Sequence, residues 1–445
     1  MTTGARARGL AQDGPGPGRG SQPSEGSNNM AEGNAGAAVA QNRWIYLVIG
    51  FVVSIVLGLV YAWSIFTLPL EKAFGWTRSE TSLAFSFSIV TLSLGMIIGG
   101  RIQDRKGPKM VAIAGAACLA VGFFAASFTT ALWMLYFFYG IMVGLGVGLI
   151  YICLISVVAR WYPDKRGLGM GILTMGLGLG AFLLGGSTSM MIDSMGWQTA
   201  FKFLAVVSLV VCVGGAALIK LPPADYAPVA KAPAGSPAAA AGPKRPVKDY
   251  NWNEMMQTAP FWTWFVWDLF LCSAGLMIIG HIVPMAVENG VDKAAAIIAM
   301  SVLSVSNGLG RFLYGYLWDV IGRRKTMVIA AMGMVIGLLG LLYLTTWVGY
   351  TGFIVAVIIT GSSYGGLVPI NNTFLATSFG PKNAGVNVGL GSLPLVAAVF
   401  IGPYLGAFIK MSSGYNLAII LGGAVAVISF IVAFFIGDAQ EEAAQ

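Results

Sequence analysis

The sequence predicts an all-α membrane protein of 12 transmembrane helices, arranged as two pseudo-symmetric bundles of six. Three observations carry this reading. The 445 residues are 57% hydrophobic and only 10% charged, with a mean hydropathy of +0.78, well outside the range of water-soluble domains. Apolar runs of about 20 residues or more, enough for a helix to cross the hydrocarbon core, recur along the whole chain. A Pro/Ala-rich stretch then divides those runs six and six.

Residues 1–42 are rich in Gly, Ala, Pro and Ser and lack an apolar core, so they read as a disordered cytoplasmic tail rather than a cleavable signal. The first bundle occupies 43–220, with helices expected at 44–70, 79–100, 108–128, 131–160, 168–193 and 198–220. Residues 221–256 form a cytoplasmic linker. The second bundle occupies 257–438, with helices expected at 258–288, 294–318, 325–346, 350–378, 384–410 and 415–437.

Most of the 26 Lys and Arg fall in the N-terminal tail, at 101–109, 160–166, 220–248 and 323–325, and at Lys382, all on one side of the membrane. Lys72, Arg78, Lys202, Lys293 and Lys410 fall on the other. This is the asymmetry of the positive-inside rule, so both termini are expected in the cytoplasm of a cell whose inner (plasma) membrane holds the chain. The net charge of +8 is thereby accounted for as topology, and no nucleic-acid partner is implied. Cys118, Cys153, Cys212 and Cys272 all lie in expected helices without metal-ligand spacing and read as free packing residues. No phosphate-binding loop and no nucleophile–His–acid set occurs, which argues against direct ATP drive and against an enzyme. No cofactor or metal is expected, and the working unit is expected to be a monomer in the lipid bilayer.

The two halves repeat. "GRIQDRKGPK" (Gly100 to Lys109) follows the second helix and "GYLWDVIGRRK" (Gly315 to Lys325) follows the eighth, at an offset of 215 residues. Both read Gly, three residues, Asp, two residues, Gly. "PDKRGLGMG" (Pro163 to Gly171) and "PKNAGVNVG" (Pro381 to Gly389) form a second pair near an offset of 218. The Gly-x-x-x-Asp-x-x-Gly loop resembles the signature loop of the major facilitator superfamily, whose six-plus-linker-plus-six layout matches nearly the whole chain. Glycine lets two helices approach closely, and an Asp can cap a neighbouring helix N-terminus. Asp104, Arg105, Asp319, Arg323 and Arg324 are therefore expected to form a cytoplasmic gate whose charges pair across the contact between halves.

The stretch "WYPDKRGLGMGILTMGLGLG" (Trp161 to Gly180) resembles the helix-5 signature of the monocarboxylate transporter family. Trp161 and Tyr162 stand for its aromatic pair, Lys165 and Arg166 for its last two basic residues, and Leu168, Gly171, Gly176 and Gly180 match. Asp164 departs from the pattern by replacing the first basic residue, and Leu173 and Met175 replace small ones. "VYAWSIF" (Val60 to Phe66) looks like the bacterial branch that includes oxalate–formate antiporters. The resemblance implies a functional Arg in helix 8, preceded four residues earlier by Asp. Here the positions read Asn307 and Arg311, so any proton handling by that Asp must fall elsewhere.

Arg311 stands in "SVSNGLGRFLYGYLWDVIGRRK" (Ser304 to Lys325) with no charge for seven residues on either side. Asp268, in helix 7, is the only acid away from the ends of an expected span. Counted from the helix midpoints at ~1.5 Å per residue, both lie roughly 7 Å to the cytoplasmic side of the midplane. A charge at that depth costs several kcal/mol unless paired or hydrated. The repeat places Met96 opposite Arg311 and Val53 opposite Asp268, so the same fold is built without either charge in the first half. Arg311 is read as the hook for a carboxylate, through two parallel hydrogen bonds. Asp268 is read as its proton-dependent competitor and the proton-coupling residue. Asn307, Tyr364 and Tyr151 are candidate substrate contacts, His281 a candidate outer relay, and Leu59 a candidate apolar wall. Dianion carriers of the oxalate–formate branch are expected to hold a second cation in helix 11, whereas here that helix offers only Lys410, at its outer end.

These residues point to a secondary transporter that carries a short monocarboxylate such as L-lactate or pyruvate together with a proton, by alternating access. Carboxylate exchange of the oxalate–formate type and a non-transporting carboxylate receptor are the alternatives.

Overall fold

Inside hydrocarbon every backbone N–H and C=O must find its partner within the segment, so long apolar runs close into helices. The computed structural model describes residues 43–223, 226, 248–288 and 290–442. It is helical almost throughout, with no strand among the described residues. The expected tail 1–42 and most of the expected linker lie outside these residues. Among the described residues, 11 helices are long and apolar enough to cross a membrane, and a shorter apolar helix comes after them. In chain order they are α1 (Arg43–Ala62), α2 (Arg78–Lys106), α3 (Pro108–Ala126), α4 (Leu132–Trp161), α5 (Arg166–Met195), α6 (Trp197–Leu218), α7 (Ala259–Glu288), α8 (Lys293–Ile321), α9 (Arg323–Val348), α10 (Tyr350–Ser378), α11 (Ala384–Gly402) and α12 (Asn416–Val432).

Two differences from the expected boundaries change the path of the chain. The first helix does not run through to residue 70. It tightens to a 3-10 turn over Gly58–Ala62, breaks at Trp63 and resumes as a short helix, Ser64–Phe74. Gly58 is the cause. It lies so close to the backbone of Leu177 and Gly180 that a Cβ would collide with both. The break is pinned by the Tyr139 hydroxyl donating to the Val60 carbonyl at 3.1 Å and the Trp63 indole donating to the Thr81 carbonyl at 3.2 Å.

The second difference is at the C-terminal end. Helical residues run over Leu393–Val432 with no extended loop between the two expected helices. The chain nevertheless reverses. Gly391 lies against Trp264 and Gly402 against Ser273 and Met277, whereas Gly422 is back beside Met277. Ser429 then donates to the Trp267 carbonyl at 3.0 Å. α11 therefore climbs along α7 and α12 descends beside it.

One end of the molecule carries the basic segments 101–109, 160–166 and 323–325. There the repeated loops make two crossings of the same design. Gly100 at the end of α2 meets Gly385 at the start of α11, and Gly315 in α8 meets Gly167 at the start of α5; at either crossing a Cβ would strike backbone. The Asp104 carboxylate accepts from the amides of Gly385 at 3.1 Å and Val386 at 3.0 Å. The Asp319 carboxylate accepts from Gly167 at 2.9 Å and Leu168 at 2.8 Å. Each acid thus caps two orphan N–H groups of an opposing helix, with the negative charge at the positive end of its dipole. The second glycine of each motif, Gly107 or Gly322, ends its helix at φ +83° or +82°, a conformation that disfavours any side chain.

The basic partners of the gate are arranged otherwise than expected. Arg323 pairs with Asp438 at 2.6 Å and Arg324 donates to the Phe434 carbonyl, both on the segment after α12. Arg105 is exposed and makes no ion pair among the described residues. Asp104 and Asp319, bonded to backbone, need no arginine, so the arginines are left to clamp the C-terminal segment. Asp164, the residue that departs from the helix-5 signature, pairs with Arg43 at 2.7 Å and so ties the entry of α1 to the α4–α5 loop.

Candidate functional site

Above the crossed glycines the helices part around a cavity of about 430 Å³. Its walls are mainly apolar: Phe85, Ile89, Leu92 and Met96 from α2, Leu177 from α5, Leu303 from α8, and Leu395 from α11. The lining continues to Thr67 and Ser82, toward the end opposite the basic segments. Into these walls the sequence sets few polar groups. Arg311, Asp268, Asn307, Tyr364 and Tyr151 all line the cavity. So do Tyr61, Trp63 and Ser64, from the broken part of α1.

Arg311 is 5% exposed and Asp268 1%, so each must be held by other groups. The Arg311 Nε donates to Asn307 Oδ1 at 3.1 Å, one helical turn away. Its Nη1 crosses to α5 and donates to the Thr174 carbonyl at 3.0 Å. Gly178 makes room for the guanidinium, since a Cβ there would stand 3.0 Å from Nε. A guanidinium has five N–H donors. Two are used, and among the described residues the rest have no protein partner. Arg311 is also the only cationic side chain among the described residues that line the cavity; the side chain of Lys410 lies outside them.

Asp268 does not pair with Arg311, contrary to the expectation of a direct competitor. Among the described residues no ion pair joins them. Instead Asp268 Oδ1 accepts from Asn371 Nδ2 at 2.7 Å, and Asn371 Oδ1 accepts from the Trp264 indole at 2.9 Å. The next residue, Asn372, donates to the Tyr151 hydroxyl at 3.4 Å and so reaches from α10 to α4. Sequence reasoning missed both asparagines. The signal available was "PINNTF", two adjacent carboxamides just after a proline inside an apolar helix.

Two expected contacts lie elsewhere. Leu59 is buried but does not line the cavity. The 3-10 turn that begins at Gly58 re-aims the residues after it and presents Tyr61 instead. His281 is half-buried in α7 beyond Ile279, the outermost α7 residue of the lining, and is not part of the wall. Cys272, one turn from Asp268, also lines the cavity, and all four cysteines are free.

Comparison with known proteins bears on the family and the fold. The family model of the Major Facilitator Superfamily matches residues 44–391 and, in a second alignment, 269–445. The chain is 26% identical over 416 residues to the oxalate:formate antiporter of Oxalobacter formigenes, covering 92% of this chain and 94% of that one. It is 24% identical to monocarboxylate transporter 13 of Bos taurus over 86% of each chain. Among solved structures, the proton:xylose symporter XylE superposes with a TM-score of 0.69 at 14% identity, covering 91% of this chain and 99% of that chain.

Proposed function

The chain belongs to the major facilitator superfamily of membrane transporters, and from that premise we propose that it carries a short monocarboxylate, such as L-lactate or pyruvate, together with a proton. The observation that carries this reading is the Arg311 guanidinium: fixed by Asn307 and by Thr174 of α5, it lines a mainly apolar cavity with donors to spare. A planar fork so held matches a carboxylate through two charge-assisted hydrogen bonds. Tyr151 and Tyr364 stand within range of the Arg311 charge and supply hydroxyls for a 2-hydroxy or 2-keto oxygen.

In this reading the basic end faces the cytoplasm and the structure is the outward-facing state. The anion docks on Arg311 while Asp268 takes up a proton, so the loaded cavity carries no more net charge than the empty one. The halves then rock, the Asp104 and Asp319 caps release their helix N-termini, and the cargo leaves on the cytoplasmic side. Asp268 acts as a neighbour across the cavity and not as a contact partner of Arg311. His281 is left as an outer relay at most.

One cation implies one carboxylate. A second carboxylate would enter a low-dielectric cavity unpaired, at a cost of several kcal/mol. L-lactate or pyruvate is expected to compete for uptake about a hundredfold better than oxalate or malonate, ~2.7 kcal/mol. Competition assays at fixed pH decide it. Oxalate inhibiting as well as lactate would favour the second reading, carboxylate exchange, which the similarity to the oxalate:formate antiporter supports.

A further inference from the structure

Trp264 and Asp268 lie one turn apart on α7, and Asn371 of α10 bridges them. The indole N–H is a donor only. A flipped amide would set donor against donor, so Asn371 must turn its oxygen to Trp264 and its N–H₂ to Asp268. Trp264 is fully buried and stacks on Phe374 with ring centroids 5.8 Å apart, which leaves the indole no freedom to release the amide. The carboxyl therefore always faces a donor, and a donor favours its ionised form. The apolar wall around it favours the neutral form.

We propose that Asn371, clamped by Trp264, is a positioning residue that sets the pH at which Asp268 loads and releases its proton. Other groups near the acid do not replace it. Cys272 on α7 and Tyr364 on α10 are within electrostatic range of Asp268 but are neutral in their ordinary state. Arg311 reaches the cavity from α8 without pairing, and the α11 residues of the wall, Val388, Gly391, Ser392, Leu395 and Val399, do not titrate. Without Asn371 the acid would keep its proton to higher pH and release it late into the cytoplasm.

The inference rests on Asp268 as the proton-coupling residue, and its test is chosen to stand apart from that reading. The full-length protein is reconstituted and the carboxyl stretch of Asp268 is titrated by infrared difference spectroscopy, using Asp268→Asn to identify the band. Asn371→Leu, which keeps the volume and removes the donor, is expected to move the midpoint to higher pH by about one unit. Trp264→Phe keeps an aromatic ring against Phe374 and removes the N–H donor along with part of the indole; it is expected to shift the midpoint the same way by a smaller amount, and it serves if Asn371→Leu does not fold. A midpoint unmoved in whichever variants fold overturns the proposal. The infrared reading responds whether or not transport uses the proton, so transport indifferent to pH would sink the coupling reading and leave this one standing.

Discussion

α1–α6 and α7–α12 close the basic end in the same way and face the cavity in opposite ways. At the closed end the copies match almost atom for atom: Gly100 with Asp104 on the start of α11, Gly315 with Asp319 on the start of α5. At the cavity the register that pairs those loops puts Met96 opposite Arg311, and both residues line the wall. Closing a gate is a backbone problem, met by small residues and capped helix ends, and either half meets it equally. Holding an anion needs a charge that is expensive to bury. One half supplies it, and the other supplies a mainly apolar wall, the Tyr151 hydroxyl and the Thr174 carbonyl that helps to hold the guanidinium.

Breaking the symmetric part should cost most. Gly315→Leu forces the α5 and α8 backbones apart, and uptake is expected to fall about a hundredfold or more, ~2.7 kcal/mol, with labelling of the cytoplasmic face showing the gate held open. Normal uptake would mean that the crossing is not a gate. Next in size is the asymmetric pair. Arg311→Lys keeps the charge and loses the fork, and is expected to lower uptake at least about tenfold, ~1.4 kcal/mol. Met96→Leu, at the matching position of the other half, should change it less than about twofold. Equal losses from the two substitutions would erase the distinction drawn between the walls. Smallest are Asp104→Asn and Asp319→Asn. An amide keeps one acceptor oxygen of two, so each should shift the closed-to-open ratio by about fivefold, ~1 kcal/mol, and by similar amounts. Double electron–electron resonance distances across the basic end measure both, and a large effect from only one would break the equivalence.

The sequence carries those parts that depend on residue type at a fixed spacing. Apolar length marks the helices, and a repeated Gly and Asp mark the crossings. A lone guanidinium and a lone carboxyl mark the cavity, because no solvent explains their place. What it hides depends on contacts between distant segments. The break in α1 comes from Gly58 lying on Gly180, so spacing alone makes Leu59 a wall residue although Tyr61 faces the cavity. Arg323 and Arg324 show their charge in the sequence but not their partners, which lie more than a hundred residues on, at Phe434 and Asp438. Asn371 carries no charge, and its role exists only because Trp264, 107 residues earlier, fixes its orientation. For the same reason the spacing of Asp268 and Arg311 suggests an ion pair, whereas each is held by its own carboxamide.

In the proposed function one half holds both the anion hook, Arg311, and the proton site, Asp268, and the two must be coupled. Proteoliposomes tested for counterflow without a pH gradient, and for net accumulation with one, address this when wild type and Asp268→Asn are compared. Coupling predicts that wild type does both, and that Asp268→Asn keeps counterflow yet no longer concentrates lactate against an imposed acid-outside gradient. Wild-type uptake that ignores the gradient and requires an anion inside the vesicle, or an Asp268→Asn variant that still accumulates lactate, would contradict it.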